Sequence, residues 1–246
     1  MDILAVALVA FTLAGFVKGV VGFGFPVITL IILTLTIGLL DALAIIVIPT
    51  IVTNIWQAFA GPYFRDIARR MWLFFLVAMT LVWLTSAYLT RIDVRWPTAT
   101  LGAVMFLFAM SRLLNLQMTV PRAWELPLSV PLGAINGALT GMTGSFMVPS
   151  VLFMQAMGFG RDMLVQAMGI FFALSTLVLA LSLGRNELIS GEHLRLSAFA
   201  LLPSLLGLAT GRWVRFRIDE KKFQQIFLGA VSILGSYICY QAIVKM

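Results

Sequence analysis

Long uninterrupted apolar runs are the feature of this sequence that most limits its fold. They continue for about 14 to 23 residues without the alternation of apolar and polar residues that marks membrane-barrel strands. Hydrophobic residues make up 61% of the chain and charged residues 11%, against roughly 45–50% and 25% in soluble domains. In lipid, a helix pairs its backbone polar groups within its own segment. The sequence therefore predicts an all-α integral membrane protein.

The apolar runs predict ten segments along the chain. They cover, to within about 2–4 residues, 3–21, 25–40, 42–60, 71–90, 96–116, 127–143, 146–158, 163–183, 194–211 and 223–244. Two of them, 25–40 and 146–158, are shorter than the roughly 20 residues that a straight spanning helix needs. Each of these two follows a glycine-rich stretch. We therefore expect broken or re-entrant helices at both places.

A glycine pattern, G-x3-G-x2-G, occurs twice at an offset of 122 residues, each time with a proline soon after it. The two copies are Gly15, Gly19, Gly22 and Pro26, then Gly137, Gly141, Gly144 and Pro149. This recurrence predicts a duplication into residues 1–122 and 123–246. Each half holds about five segments, and an odd number turns the second half upside down. The predicted fold class is therefore two inverted-topology repeats, each opened by a glycine-broken or re-entrant helix.

The basic residues orient the chain. The net charge is +7 and the pI about 10.2, but the arginines fall in short gaps and form no basic stripe, which excludes nucleic acid as a partner. With the N-terminus outside, eleven basic residues face the cytoplasm and five face outward, as the positive-inside rule requires. The cytoplasmic set is Arg65, Arg69, Arg70, Arg112, Arg122, Arg161, Arg212, Arg215, Arg217, Lys221 and Lys222, and the outer set is Arg91, Arg95, Arg185, Arg195 and Lys245. We predict an inner-membrane protein with both termini outside and an N-terminus retained as the first membrane segment.

The first glycine cluster is a candidate anion site. A helix broken at Gly22 and Gly24 exposes N–H groups at the start of its second arm, near Pro26, where the helix dipole favours an anion. Lys18 is the basic residue deep in an apolar segment, a position where charges usually face a cavity or a partner. Snorkelling to the cytoplasmic interface is the alternative for Lys18. For the glycines the alternative is close helix packing, with Gly19 in the same pattern.

The second cluster offers uncharged donors. Thr140, Thr143 and Ser145, beside Gly144 and with Asn136 as a weaker candidate, are expected to hydrogen-bond an anion. Threonine and serine also bond back to their own helix or pack helices together, which is the alternative. In the same way, Pro26 and Pro149 with Gly19 and Gly141 are the predicted hinges of the two broken helices.

A third group of polar residues lies in the segments that follow. Asn54 and Gln57 stand one turn apart, and Thr176 or Ser175 occupies the corresponding place in the second half. Polar residues at one depth suit a shared cavity, but hydrogen bonds between helices explain them nearly as well, as they do for Gln166. We carry Asn54, Gln57 and Thr176 as candidate substrate contacts.

The remaining titratable residues have simpler explanations. Asp41 and Asp162 each precede an apolar run and are predicted N-caps. His193 is predicted to be a solvated residue of a polar loop. Cys239 stands alone, so no intrachain disulfide forms, and no histidine or cysteine set predicts a metal site or a cofactor.

The glycine segments resemble a known family. Gly15 to Gly24, with the sequence GFVKGVVGFG, and Gly137 to Gly144, with GALTGMTG, are similar to the duplicated glycine signature of TauE/SafE sulfite exporters. The resemblance covers essentially the whole chain in length, duplication and hydropathy. Where that family tends to run three glycines together, this chain has Gly24-Phe25-Pro26 and Ser145-Phe146-Met147.

The resemblance implies a secondary transporter that exports sulfite, an organosulfonate or another small sulfur-containing anion by alternating access. The expected partners are that anion and the lipid bilayer, with a homodimer left open. Two other classes stay open at this point. An integral-membrane enzyme needs several titratable residues at one depth, where Lys18 stands out alone, and a membrane scaffold needs no polar path.

Overall fold

The computed structural model describes residues 3–114, 118–215 and 217–244, and these residues form α-helices, one short 3-10 helix and no strand. Lys245, assigned above to the outer face, lies outside the described residues, as does the side chain of Lys221. The helices are α1 (Ile3–Val21), α2 (Phe25–Ile37), α3 (Leu39–Ile45), α4 (Val47–Ala58), α5 (Phe64–Ser86), α6 (Arg95–Leu113), α7 (Arg122–Thr143), α8 (Ser150–Ala156), α9 (Arg161–Arg185), α10 (Gly191–Arg215) and α11 (Glu220–Val244), with the 3-10 helix Ala87–Thr90 after α5.

Four stretches of the described chain are long and apolar enough to cross a membrane, and α3 with α4 adds a fifth if that bent pair is one span. The four are Phe64–Thr90, Arg161–Arg185, Gly191–Arg215 and Lys222–Val244. The predicted all-α membrane class is thereby confirmed. The predicted segment 42–60 corresponds to this bent pair, in which α3 and α4 meet at Ile46 at an angle of 48°.

Two helices are short where the sequence predicts short arms. α2 has 13 residues and α8 has 7, so at 1.5 Å per residue they extend about 20 Å and 10 Å, less than the roughly 30 Å of a bilayer core. Neither helix crosses a membrane alone.

The contacts between Cα atoms divide the chain into two compact units. The first comprises Met1–Thr50, Asp93–Asn115 and Glu187–Met246, and the second comprises Ile51–Ile92 and Leu116–Asn186. Each unit therefore draws on both halves of the sequence. The first holds α1 to α3 with α6, α10 and α11, and the second holds most of α4 with α5, α7, α8 and α9.

Glycines bring α1 and α10 close together in the first unit. A Cβ added to Gly15 would lie 2.2 Å from the Ser204 carbonyl oxygen, and one added to Gly19 would lie 2.5 Å from that of Leu208. From the other side, a Cβ on Gly207 or Gly211 would lie 2.1 Å from a carbonyl oxygen of α1. Any side chain would push these backbones apart, so both helices need glycine at these positions.

Glycines also bring two further pairs of helices close together, α7 with α5 and α6 with α11. In the second unit, a Cβ on Gly137 would lie 2.3 Å from the Ala78 carbonyl oxygen of α5, and one on Gly141 would lie 2.8 Å from that of Val82. In the first unit, Gly102 of α6 faces Gly235 of α11. The close-packing interpretation of the glycine patterns is therefore observed directly.

Three expectations about helix starts need correction. The N-cap of α3 is Gly38 and that of α9 is Gly160, so Asp41 and Asp162 lie within the first turn, where a carboxylate still favours the helix dipole. His193 lies in the first turn of α10 and not in a loop. Its Nε2 is 3.3 Å from Asp41 Oδ1, so it has a specific partner.

Candidate functional site

The first helix break lies between α1 and α2, inside the first unit. The Gly22 N–H donates to the Lys18 carbonyl at 2.8 Å and ends α1. Gly22 and Gly24 both have positive φ, 91° and 98°, a conformation that glycine adopts without strain. The chain then enters α2 at Phe25, and Pro26 occupies the first turn. N–H groups in the first turn have no partner within the helix, so the lack of an N–H on proline costs no hydrogen bond there.

Lys18 is buried beside this break. Its side chain is 6% exposed, and its Nζ lies 6.0 Å from the centre of the Phe25 ring, at the first residue of α2. The next residue, Gly19, faces Leu208 and the backbone N of Arg212 on α10. The ammonium group is thus near the ring of the residue that begins α2, and it also lies in the last turn of α1, where the helix dipole favours a cation.

The second break lies between α7 and α8, inside the second unit, and side chains of α7 hydrogen-bond the backbone of the loop that follows it. Gly144 caps α7 with φ 67°. Thr140 Oγ1 donates to the Ser145 carbonyl at 3.1 Å, and Asn136 Nδ2 donates to the Phe146 carbonyl at 3.2 Å. Pro149 is the N-cap of α8, after a cis peptide bond. All three polar candidates of α7 are fully buried: Asn136, Thr140 and Thr143.

Thr143 and Ser145 differ in the use of their hydroxyls. Thr143 Oγ1 donates to the Leu139 carbonyl at 2.6 Å and accepts the Ser145 N–H at 3.1 Å, so it follows the alternative of bonding back to its own helix. Within the described part of the chain, the Ser145 hydroxyl makes no such bond, and its side chain is buried. Ser145 therefore has the freer donor of the two.

The predicted hinges separate into two kinds. Pro26 and Pro149 stand at the starts of α2 and α8, directly at the breaks. Gly19 and Gly141 lie inside α1 and α7, where they contact neighbouring helices, and the breaks come further along the chain. For these two glycines the structure shows the packing role.

The third group of polar candidates lies on α4 and α9 in the second unit. Gln57 Nε2 donates to the Val165 carbonyl at 2.7 Å, which is the interhelical hydrogen bond considered above. Thr176 Oγ1 donates to its own helix at the Phe172 carbonyl, 2.7 Å away. Asn54 is fully buried on α4. The structure thus places Asn54, Gln57 and Thr176 in one unit with the second break.

Two features of the second unit were missed from the sequence. Gln166 Nε2 donates to the Ala58 and Gly61 carbonyls, and its Oε1 accepts the Tyr63 N–H, so one amide closes the turn from α4 to α5. Arg70 forms a two-point ion pair with Glu125, with Nε to Oε2 at 3.1 Å. For Gln166 the sequence suggested hydrogen bonds between helices but not their partners, and nothing in the local sequence pairs Arg70 with Glu125, 55 positions apart.

No three His, Cys, Asp or Glu side chains among the described residues lie close enough to share a metal ion. The polar groups at the two breaks are a lysine, hydroxyls and amides, which are hydrogen-bond donors toward an anion.

A comparison with protein families matches nearly the whole chain. The family described as "Sulfite exporter TauE/SafE" matches residues 7–238 of the 246. The comparison with curated proteins found no match, and the comparison with solved structures found none. Because the match covers nearly the whole chain, this protein belongs to the TauE/SafE sulfite exporter family, which is a family of membrane transporters and not of enzymes.

Proposed function

We propose that the protein carries a small sulfur-containing anion, sulfite or an organosulfonate, across the inner membrane by alternating access, with export as the direction that the family implies. The observation that carries the proposal is the burial of Lys18 beside the first residue of α2. A buried charged side chain is costly unless it is paired and hydrogen-bonded. A bound anion offsets that cost.

The anion is proposed to bind at the α1–α2 break, between the Lys18 ammonium and the backbone N–H groups in the first turn of α2. A sulfite or sulfonate group presents three oxygens, so it accepts from both kinds of donor at once. Charge-assisted bonds of this kind are roughly twice as strong as neutral ones. At the second break, Ser145 is proposed as an anion contact in its own right, with Thr140 and Thr143 holding that loop in place.

The packing supports the proposed repeats, residues 1–122 and 123–246. At the offset of 122, Gly22 corresponds to Gly144, and both end a helix with positive φ. The same offset relates α1 to α7 and α5 to α10. The close pair α1 with α10 then corresponds to the close pair α7 with α5. Two copies of one fold produce such corresponding pairs, in which the first helix of one repeat packs against a later helix of the other. Inverted-repeat transporters place their substrate between such repeats.

Anion flux into proteoliposomes tests the transport proposal. Sulfite, sulfoacetate, thiosulfate, sulfate and chloride are compared for wild type, Lys18→Met and Lys18→Arg. The control is Lys222→Met, which removes an exposed lysine of α11. We expect saturable flux of one sulfur anion, a loss of at least tenfold in Lys18→Met, partial recovery in Lys18→Arg and unchanged flux in the control.

The outcomes separate the two parts of the proposal. Flux that survives Lys18→Met keeps the transporter and rejects the anion site at Lys18. If protein that is folded by size exclusion moves none of these anions, the sulfur substrate class is rejected. A Ser145→Ala variant that affects flux more than Thr143→Val is expected from the hydroxyl bonds described above.

The proposed topology, with both termini outside, is tested by labelling with a membrane-impermeant maleimide. Cys239 is the single cysteine, so Cys239→Ala gives a background without thiols. Arg65→Cys is expected to be labelled only after permeabilisation of cells, and Arg91→Cys without it. The reverse labelling pattern would mean that both termini lie inside.

The homodimer stays a prediction, and light scattering of the purified protein measures the oligomeric state.

A further inference from the structure

A cleft of about 350 Å³ lies in the second unit, and its lining includes none of the candidate substrate contacts. It is formed by the end of α5, the 3-10 helix and the end of α9. Its lining residues are Trp83, Leu84, Ala87, Tyr88, Thr90, Arg91, Ser182, Arg185 and Asn186. The set contains two arginines and no carboxylate.

The cleft is at the ends of two candidate spans. Phe64–Thr90 and Arg161–Arg185 both finish at residues that line it. Tryptophan, tyrosine and arginine are typical of the layer between lipid tails and water. Trp83 and Tyr88 supply the aromatic part of this arrangement, and the Arg185 guanidinium lies 5.5 Å from the Trp83 ring centre.

The electrostatic balance in the cleft is positive. Among the described residues, no carboxylate lies within ion-pair distance of Arg91 or Arg185, whereas Arg70 and Arg95 each pair with an acid. Helix carbonyl ends point here, since Arg185 is in the last turn of α9. Each such end carries about −0.5 charge, so two ends offset only about half of the two guanidinium charges. An anion is therefore attracted.

We propose that this cleft binds one oxyanion, a phosphate or sulfonate group held by Arg91 and Arg185 against the Trp83 and Tyr88 rings. Guanidinium groups match such oxygens with two parallel hydrogen bonds. The group belongs either to the headgroup of an acidic phospholipid or to a free anion at the membrane surface. Both sources use the same chemistry, and the experiment distinguishes them.

The test measures binding to the purified protein for wild type, Arg91→Gln/Arg185→Gln and a control pair, Arg65→Gln/Arg69→Gln. The control arginines are exposed, on the first turns of α5 and outside the cleft. Probes are phosphatidylglycerol in nanodiscs, followed by native mass spectrometry, and inorganic phosphate or sulfite in detergent, followed by calorimetry. We expect affinity to fall about tenfold or more in the cleft variant, as the loss of a charge-assisted bond implies, and to stay unchanged in the control.

A fall confined to phosphatidylglycerol identifies a lipid site, and a fall for phosphate or sulfite identifies a free-anion site. Either result supports the proposal. Affinities within twofold of wild type for every probe overturn it. Should the double variant not fold, Arg91→Gln alone gives the same comparison. Lys18→Met is expected to leave binding in the cleft unchanged, which separates this site from the proposed transport site.

Discussion

Replacing Gly207 by alanine tests whether glycine contact sets the distance between α1 and α10. The added Cβ would lie 2.1 Å from the Thr12 carbonyl oxygen and 2.9 Å from the Phe16 nitrogen, whereas ordinary contact begins at 3.4 Å. The obstructing atoms belong to the backbone of α1 and have no rotamer to change. The two helices must therefore separate locally by about 1 Å, an estimate from the difference between those distances.

The energetic cost follows from that separation. A gap of 0.5–1 Å forfeits about a quarter to a half of each atom–atom attraction of roughly 0.1–0.2 kcal/mol. Over some tens of atom pairs the loss is about 1–3 kcal/mol, which matches the usual cost of overpacking. Alanine recovers at most about 1 kcal/mol through helix propensity. The expected net destabilisation by Gly207→Ala is therefore about 1–2 kcal/mol.

The matched control is Gly229→Ala on α11, where an added Cβ meets nothing within 4 Å. Thermal unfolding in detergent, followed by the loss of the monodisperse size-exclusion peak, measures both variants. We expect Gly207→Ala to lower Tm by roughly 2–8 °C, at about 2–4 °C per kcal/mol, and Gly229→Ala to leave Tm equal or higher. Equal Tm values for the two variants would refute the argument that backbone contact fixes this helix pair.

Three further predictions concern polar contacts. Gln166→Leu leaves three backbone groups of the α4–α5 turn without their partner and should destabilise the protein by about 2–4 kcal/mol, measured by the same thermal assay. Removing Arg70 or Glu125 alone should cost more than removing both, because the remaining charge loses its partner, and a double-mutant cycle of unfolding free energies measures this. Hydrogen bonds from Arg95 hold the pKa of Asp93 below its ordinary value. The stability that this pair contributes is present above the unfolded-state pKa of Asp93 and is lost as pH falls through the folded-state pKa. Arg95→Gln should raise that pKa, as an NMR titration of the Asp93 carboxyl would show.

The two helix breaks were predictable because their causes are local. Gly22 and Gly144 take positive φ and Pro26 stands in a first turn, all of which follow from the backbone preferences of these two residue types. The precise starts of α3 and α9 were not predictable in the same way. Asp41 is a good N-cap in isolation, but Gly38 breaks the chain earlier, and the carboxylate instead meets His193 on α10.

The partners of the glycines show where local reasoning stops. The motif at Gly15 and Gly19 is visible in the sequence, and so is the spacing of Gly207 and Gly211, but nothing in either segment says that they face each other. Their contact arises because α1 packs against α10. The spacing of the glycines predicts that each helix packs closely against another helix, and only the fold determines which helix that is.

The sequence by itself determined that this protein lies in a lipid bilayer, that it is helical and where its helices break. Through the duplicated glycine pattern it also indicated the family. Those properties depend on composition and on backbone preferences over a few residues. Only the tertiary structure decided that Arg70 pairs with Glu125, that Gln166 closes a distant turn, and that Arg91 and Arg185 share one cleft. These side chains are far apart along the chain, and no local preference of either partner specifies which residues packing will bring together.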